Sequence, residues 1–185
     1  NAAREPEIVD LADMLNEMGA RISGAGTPVV TVEGVGELHP VTHRVVGDRI
    51  EAGTFIVAGA LAAAEGGVEV TGFNPVHLGM VLKKLHLMGI EVERIEGGVR
   101  VYHVDRIRPV DIQTLPYPGF PTDMQAQVMV LSALADGSSI ITENIFENRF
   151  MFASELVRMG ADIRIEGHHA MIHGVPGFSG AQVTS

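Results

Sequence analysis

The 185-residue chain carries 23 acidic and 13 basic residues, a formal charge of −10, with 46% hydrophobic residues and no cysteine. A phosphate backbone would be repelled on average, which argues against nucleic acid as a partner, although a concave site in an acidic protein can be locally basic and accept a small anion. Disulfides, thiolate metal sites and a cysteine nucleophile are excluded within these residues, and the apolar content suffices for one sizeable core or two small ones without metals or staples.

The chain opens Asn1-Ala2-Ala3-Arg4, with no methionine and no cationic-then-apolar leader, so a piece of a longer cytoplasmic protein is expected. A first helix follows. It has Pro6 at its start, Ile8, Leu11, Ala12, Leu15 and Met18 on one face, and Gly19 as a left-handed cap. Ala20 to Val32 reads as a strand, a turn and a strand. Gly24-Ala25-Gly26 and Gly34-Val35-Gly36 lack the third glycine and the strand-to-helix setting of a dinucleotide loop and are read as turns. A helix over Ala52 to Ala64 contains the longest apolar run, well short of the roughly 18 residues of a membrane span, so no membrane association is expected. It leads through Gly66-Gly67 into a strand over Val68 to Thr71.

Asn74 is the predicted N-cap and Pro75 the first residue of the next helix, whose stripe is Leu78, Val81, Leu82, Leu85 and Met88, ending at Gly89. A hairpin over Ile90 to Val101, a strand over Val110 to Thr114 and a helix over Met124 to Ala135 come next. Asp136-Gly137 leads into a strand over Ser139 to Thr142. A short helix carrying Phe152, Leu156 and Met159 and a hairpin over Ala161 to Ile172 close the pattern.

Three Met-Gly pairs, Met18-Gly19, Met88-Gly89 and Met159-Gly160, are spaced by 70 and 71 residues, and Ala62 and Ala133 lie 71 apart in the same register. Each pair ends a helix that a hairpin follows, and the methionines are read as packing. The full repeat reads β-α-β-α-β-β, of which the first copy has only its closing α-β-β half.

Two segments could carry chemistry. In Leu115-Pro116-Tyr117-Pro118-Gly119-Phe120-Pro121-Thr122-Asp123-Met124 a proline-rich loop delivers the chain to a helix start, with Thr122 as the predicted N-cap and Asp123 in the first turn. Asp123 reads either as a helix-stabilising carboxylate or as a base on a stiff loop. In Ile141-Thr142-Glu143-Asn144-Ile145-Phe146-Glu147-Asn148-Arg149-Phe150 the chain passes from strand to helix, where α/β proteins place ligands. The planar fork of Arg149 suits a carboxylate or phosphate, or else an ion pair with Glu147, Glu143 or Glu155. His169 and His173 would share a strand face, and with no carboxylate cluster beside them the hairpin histidines are read as exposed.

Pro121-Thr122-Asp123-Met124-Gln125-Ala126-Gln127, Glu143 with Ile145-Phe146-Glu147-Asn148-Arg149-Phe150-Met151, Asn1-Ala2-Ala3-Arg4-Glu5-Pro6-Glu7 and Asp48-Arg49-Ile50-Glu51 resemble the UDP-N-acetylglucosamine enolpyruvyl transferases. The blocks occur in the family's order across nearly the whole chain, through Ser179-Gly180-Ala181-Gln182. The resemblance implies an α/β fold, an inside-out barrel of β-α-β-α-β-β units that this chain is too short to close. It implies transfer of enolpyruvate from phosphoenolpyruvate to the 3-hydroxyl of UDP-N-acetylglucosamine in peptidoglycan synthesis, without a cofactor. By position, Asp123 matches the proposed general base and sugar contact, Ile145 a nucleotide-sugar contact, Arg149 the holder of the phosphoenolpyruvate carboxylate, and Glu147 a residue orienting that region. Asp48 and Arg49 match the crossover between the family's two domains, so the resemblance implies that residues 1–46 close one domain and 47–185 supply two units of the other. The helix faces of those units, shaped for absent neighbours, would make the isolated chain self-associate. The family's substrate-clamping lysine and asparagine, its loop bearing a cysteine or aspartate, and its later basic residues have no counterpart in these residues, so the chain alone is expected not to turn over. A shikimate-pathway enolpyruvyl transferase and a non-catalytic binding protein on the same scaffold are the alternatives.

Overall fold

The computed structural model describes residues 1–182, and the chain divides into two compact units, Asn1–Asp48 and Arg49 onward. In the first, helix α1 (Pro6–Glu17) is followed by an antiparallel pair, β1 (Arg21–Ser23) and β2 (Thr31–Glu33). Pro6 begins the helix, where its fixed φ is already helical and its missing N–H costs nothing. Asn16 binds both backbone groups of Ile22, each at 2.8 Å, and so ties the helix end to β1. His43 is held by Asp10 at 3.0 Å and Glu17 at 3.3 Å, and Asp10 also accepts the N–H of Val46. The Asp10 hydrogen bond is the main reason the His43 imidazole titrates above its ordinary value, against an opposing effect of burial. Leu11 departs from the predicted buried face, being 47% exposed within this unit, whereas Ala12 is buried.

The second unit runs α2 (Arg49–Ala62), β3 (Val68–Thr71), a 3₁₀ turn (Pro75–Leu78), α3 (Gly79–Leu87), β4 (Val92–Ile95), β5 (Gly98–Val101), β6 (Ile112–Gln113), a 3₁₀ turn (Thr122–Met124), α4 (Gln125–Ala133), β7 (Ser138–Thr142), α5 (Ala153–Arg158), β8 (Asp162–Glu166) and β9 (His169–His173). The strands form two open sheets, ordered β3-β5-β4 and β6-β7-β9-β8; all pairs are antiparallel except β6–β7. The sheets do not close a barrel. The predicted full repeat is complete only from β6 to β9, because among the described residues of the second unit no strand precedes α2. The core joins α2, α3 and α4 to the inner sheet faces through fully buried Ile56, Leu78, Val81, Leu85, Met124, Val128, Met129, Leu131, Ile141 and Ile172. At Gly53 a Cβ would come within 2.6 Å of the Met124 sulfur, so a side chain there would force Met124, in the 3₁₀ turn ahead of α4, to move. On the first sheet Arg100 of the central strand stands opposite Glu69 and Glu93 on its two neighbours and pairs with both.

The Met-Gly repeat has a single physical basis. Gly19, Gly89 and Gly160 have φ of 101°, 91° and 100°. In each copy the glycine N–H returns to a helix carbonyl three residues back and the next N–H to one five back: Gly19 to Asn16 and Ala20 to Leu15, Gly89 to His86 and Ile90 to Leu85, Gly160 to Val157 and Ala161 to Leu156. This is the Schellman closure, which satisfies the last carbonyls of the helix and demands a residue tolerant of positive φ. The methionine carbonyl then receives the chain leaving the hairpin, from His39 at Met18, Arg108 at Met88 and Ser179 at Met159. The side chains pack, with Met88 fully buried.

Two further expectations need correction, and a third holds with a change of helix type. The predicted strand over Val110 to Thr114 pairs regularly only at Ile112–Gln113, because side chains replace two ladder bonds: the Val110 N–H goes to Ser139 Oγ and the Ile140 N–H to Asp111 Oδ1. Asn74 does cap, accepting the Val76 N–H at 3.0 Å, but it opens a 3₁₀ turn that passes into α3. Thr122 is not an N-cap; it lies inside the 3₁₀ turn and its hydroxyl is used elsewhere.

Candidate functional site

Strands β6 and β7 are parallel, so their carboxyl ends open on one edge, and the two segments that leave there build the site. Beyond β6, the Leu115 N–H reaches Phe120 O and the Gly119 N–H reaches Pro116 O, closing a tight loop. The ring of Phe120 is 1% exposed and anchors that loop, while Tyr117 lies under the buried Arg49 guanidinium, 5.4 Å from ring centre to Cζ. The loop delivers Thr122 and Asp123 to the turn that starts α4. Beyond β7, Thr114 secures the second segment, its Oγ1 accepting the Asn144 N–H and its carbonyl the Asn144 side-chain amide.

Between the two segments sits Glu143, 1% exposed. Its Oε1 accepts the N–H groups of Ile145 at 2.8 Å and Phe146 at 3.1 Å; its Oε2 accepts the Thr122 hydroxyl at 2.9 Å and the Gln125 amide. Burial by itself would push this carboxyl upward, but the hydrogen bonds from Ile145, Phe146 and Thr122 outweigh it and hold the group below its ordinary value. The backbone then turns at Asn148, whose φ of 54° lies in the left-handed region that asparagine tolerates. That turn brings Arg149 to Asp123 Oδ1, with the guanidinium also 4.9 Å from the Phe146 ring centre.

Two candidate residues from distant stretches of sequence thus meet. Arg149 pairs with Asp123, not with Glu147, Glu143 or Glu155: Glu143 is buried and occupied by four donors, Glu155 binds Arg158, and Glu147 is exposed outside the hydrogen-bonded cluster. Ile145 is 36% exposed and is held through its backbone N–H. Asp123 does stand in the first turn before α4, and with side-chain exposures of 53% and 35% the Asp123–Arg149 pair is open to solvent. Glu143, Gln125 and Thr114 escape sequence reading as site residues. The available signal is a glutamate directly after a β-strand and before a loop whose N–H groups need acceptors.

His169 and His173 share the outer face of β9, each bonded to a hydroxyl of β7, at Thr142 and Ser138. Among the described residues no group of three or more histidine or acidic side chains could hold a metal ion, and no helix is long and apolar enough to cross a membrane. A cavity of about 650 Å³ lies on this sheet face, bounded by Lys84, Asp111, Thr142, Glu166 and His169 among others. It includes none of Asp123, Ile145, Glu147 or Arg149, and those five polar groups already have partners within the fold.

Open sheets of repeated helix–hairpin units, with an acid–guanidinium pair at the carboxyl ends of parallel strands, define an α/β repeat protein whose candidate site lies on one sheet edge. The enolpyruvyl transferase NikO of Streptomyces tendae superposes with a TM-score of 0.80 at 29% identity, over 94% of this chain and 41% of that one. EPSP synthase from Acinetobacter baumannii, at 18% identity and a TM-score of 0.54, shares the fold. The chain belongs to the EPSP synthase (3-phosphoshikimate 1-carboxyvinyltransferase) family, whose model matches residues 1–185. Within that family it is 56% identical over 185 residues to the UDP-N-acetylglucosamine 1-carboxyvinyltransferase of Nocardia farcinica, and 50% identical over 183 residues to that of Mycobacterium tuberculosis. The chain spans 43% of the length of each of these relatives.

Proposed function

We propose that the chain forms part of an enzyme transferring enolpyruvate from phosphoenolpyruvate to the 3-hydroxyl of UDP-N-acetylglucosamine. The observation that carries this reading is the meeting of Asp123 and Arg149 beside the Ile145 loop. Asp123 takes the proton of the sugar hydroxyl, whose oxygen bonds to the enolpyruvyl carbon as phosphate leaves. The guanidinium of Arg149 holds the phosphoenolpyruvate carboxylate, and a bidentate contact there would fix the acceptor carbon opposite the hydroxyl. Ile145 meets the nucleotide sugar and Glu147 orients the loop. Paired with each other, Asp123 and Arg149 occupy one another's valence, so substrates must part them. The solvent exposure of the pair keeps that separation inexpensive.

Identity of 50–56% to relatives named for the nucleotide sugar, against 18% to an EPSP synthase, supports the nucleotide sugar over a shikimate phosphate as acceptor. In this reading residues 1–46 close one domain of the whole enzyme and 47–185 contribute two units of the other, the reaction is cytoplasmic, and no cofactor takes part. Helix faces left for neighbouring units make the isolated chain self-associate, which a strict monomer by light scattering at high concentration would contradict.

Grafting this chain in place of the matching stretch of a full-length relative tests the reading. The chimera should release phosphate from phosphoenolpyruvate and UDP-N-acetylglucosamine, and Asp123→Asn should slow it by about 10²–10⁴-fold. A folded chimera that binds both substrates and is indifferent to Asp123→Asn would refute the role given to Asp123.

A further inference from the structure

We infer that Glu143 is a positioning residue of the nucleotide-sugar site, its carboxylate fixing the register between the Asp123 turn and the Ile145–Arg149 loop; the inference rests on the reading of those residues given above. The four hydrogen bonds that the Glu143 side chain accepts come two from each segment, and the Thr114 hydroxyl at the end of β6 also favours its ionised form. An ionised carboxylate is acceptor-only, with about four lone-pair sites at one terminus, so it is the side chain that can serve both segments at once. Thr122 adjoins Asp123 in sequence, and Gln125 begins α4, so one oxygen sets the base side of the site. The other sets the peptide groups of Ile145 and Phe146, and through them the approach to Asn148 and Arg149.

The hub is itself anchored. The Glu143 N–H is held by His168 O at 2.8 Å, and the next residue, Asn144, is held twice by Thr114. A shorter acid cannot follow its targets by moving the backbone. Burying a carboxylate is costly unless its lone pairs are filled, as they are here, and removing one arm leaves donors without an acceptor. These donors flank the candidate residues on both sides, so a displacement at Glu143 reaches Asp123 and Ile145 together.

Glu143→Asp and Glu143→Gln separate reach from charge. Aspartate keeps the charge but is shorter by about 1.5 Å. Glutamine keeps the length and the Oε1 arm, and its amide can meet Gln125 if that side chain turns over, since Gln125 Oε1 is buried without a partner. The 185-residue chain is titrated with UDP-N-acetylglucosamine while amide shifts and amide exchange are followed. For Glu143→Asp we expect Ile145 and Phe146 to exchange at least about tenfold faster and the sugar-nucleotide Kd to rise by at least about tenfold, with β9 amides as in the parent chain. For Glu143→Gln the rise in Kd should stay near threefold. Parent-like affinity and parent-like exchange in Glu143→Asp would overturn the inference. Equal losses in both variants together with faster exchange in β9 would also overturn it, because they mark a general loss of structure. If the parent chain shows no binding, the substrate reading fails on its own. Glu143 is then judged by the amides: joint displacement of Asp123 and Ile145 in Glu143→Asp upholds the positioning role, and unmoved amides reject it.

Discussion

Removing the Asp123–Arg149 pair should cost little stability, and the size of that cost decides whether the pair is a site or a strut. The partners are 53% and 35% exposed, and exposed ion pairs contribute about 0.2–1 kcal/mol. The Phe146 ring beneath the guanidinium is itself half exposed and adds about 0.5–1 kcal/mol. Arg149→Met should therefore destabilise the second unit by about 1–2 kcal/mol, and the coupling between Arg149→Met and Asp123→Asn should be about 0.2–1 kcal/mol. A buried position in the same unit supplies the scale: Ile141, fully buried on β7, should cost about 2–5 kcal/mol when replaced by alanine. Urea unfolding read through amide signals of β7 and β9 measures all four variants within one unit, which avoids treating a two-unit chain as a single transition. A coupling above about 2 kcal/mol would refute the reasoning, because an interaction that strong acts as a clamp and resists exchange with substrate.

Protonation gives opposite signs in the two units. The His43 pKa is raised above its ordinary 6.5, so its stabilisation is complete below that value and is lost as pH rises through the folded pKa; the His43 ring shifts and the Val46 amide should report one titration above 6.5. The Glu143 pKa is lowered from 4.5, so its contribution is present above that value and is lost as pH falls through the folded pKa. Amide shifts of Ile145 and Phe146 should inflect below 4.5, and an inflection above it would contradict the assignment. At Gly174 a Cβ would stand 1.6 Å from the Ala135 carbonyl oxygen, and the backbone there bonds Gly137 and, one residue on, Ala133. Gly174→Ala should therefore destabilise the second unit by roughly 3 kcal/mol, from overpacking and a lost hydrogen bond, as urea unfolding would show. The chain alone should release no detectable phosphate from the two substrates; clear turnover by the pure chain would overturn that expectation.

Features set by local rules were legible in the sequence. The Met-Gly repeat could be read because closing a helix on a left-handed residue selects glycine, and the Asn74-Pro75 start because capping and a fixed φ are properties of neighbours. The stripe through Leu78, Val81, Leu85 and Met88 follows from period alone. What failed depended on partners distant in sequence. Thr122 had the residue type of a cap, but its hydroxyl is committed to Glu143, which comes 21 residues later. Arg149 had three acids close by in sequence, yet the turn at Asn148 directs it to Asp123, which lies 26 residues earlier. Glu143 was read only as a possible ion-pair partner of Arg149 and as part of a resembling block, because a polar residue gives no pattern signal that distinguishes burial among donors from exposure. Asp123 and Arg149 were candidates from residue type and position, the resemblance supplied their roles and added Ile145 and Glu147, and the structure added the geometry that brings Asp123 and Arg149 together.

The most direct test is a titration of the isotope-labelled chain with UDP-N-acetylglucosamine, following backbone amides. The account predicts saturable shifts concentrated at Asp123 and Ile145 and weakened by Asp123→Asn. Shifts confined to the cavity face around His169 and Met171, with Asp123 and Ile145 unmoved, would contradict it.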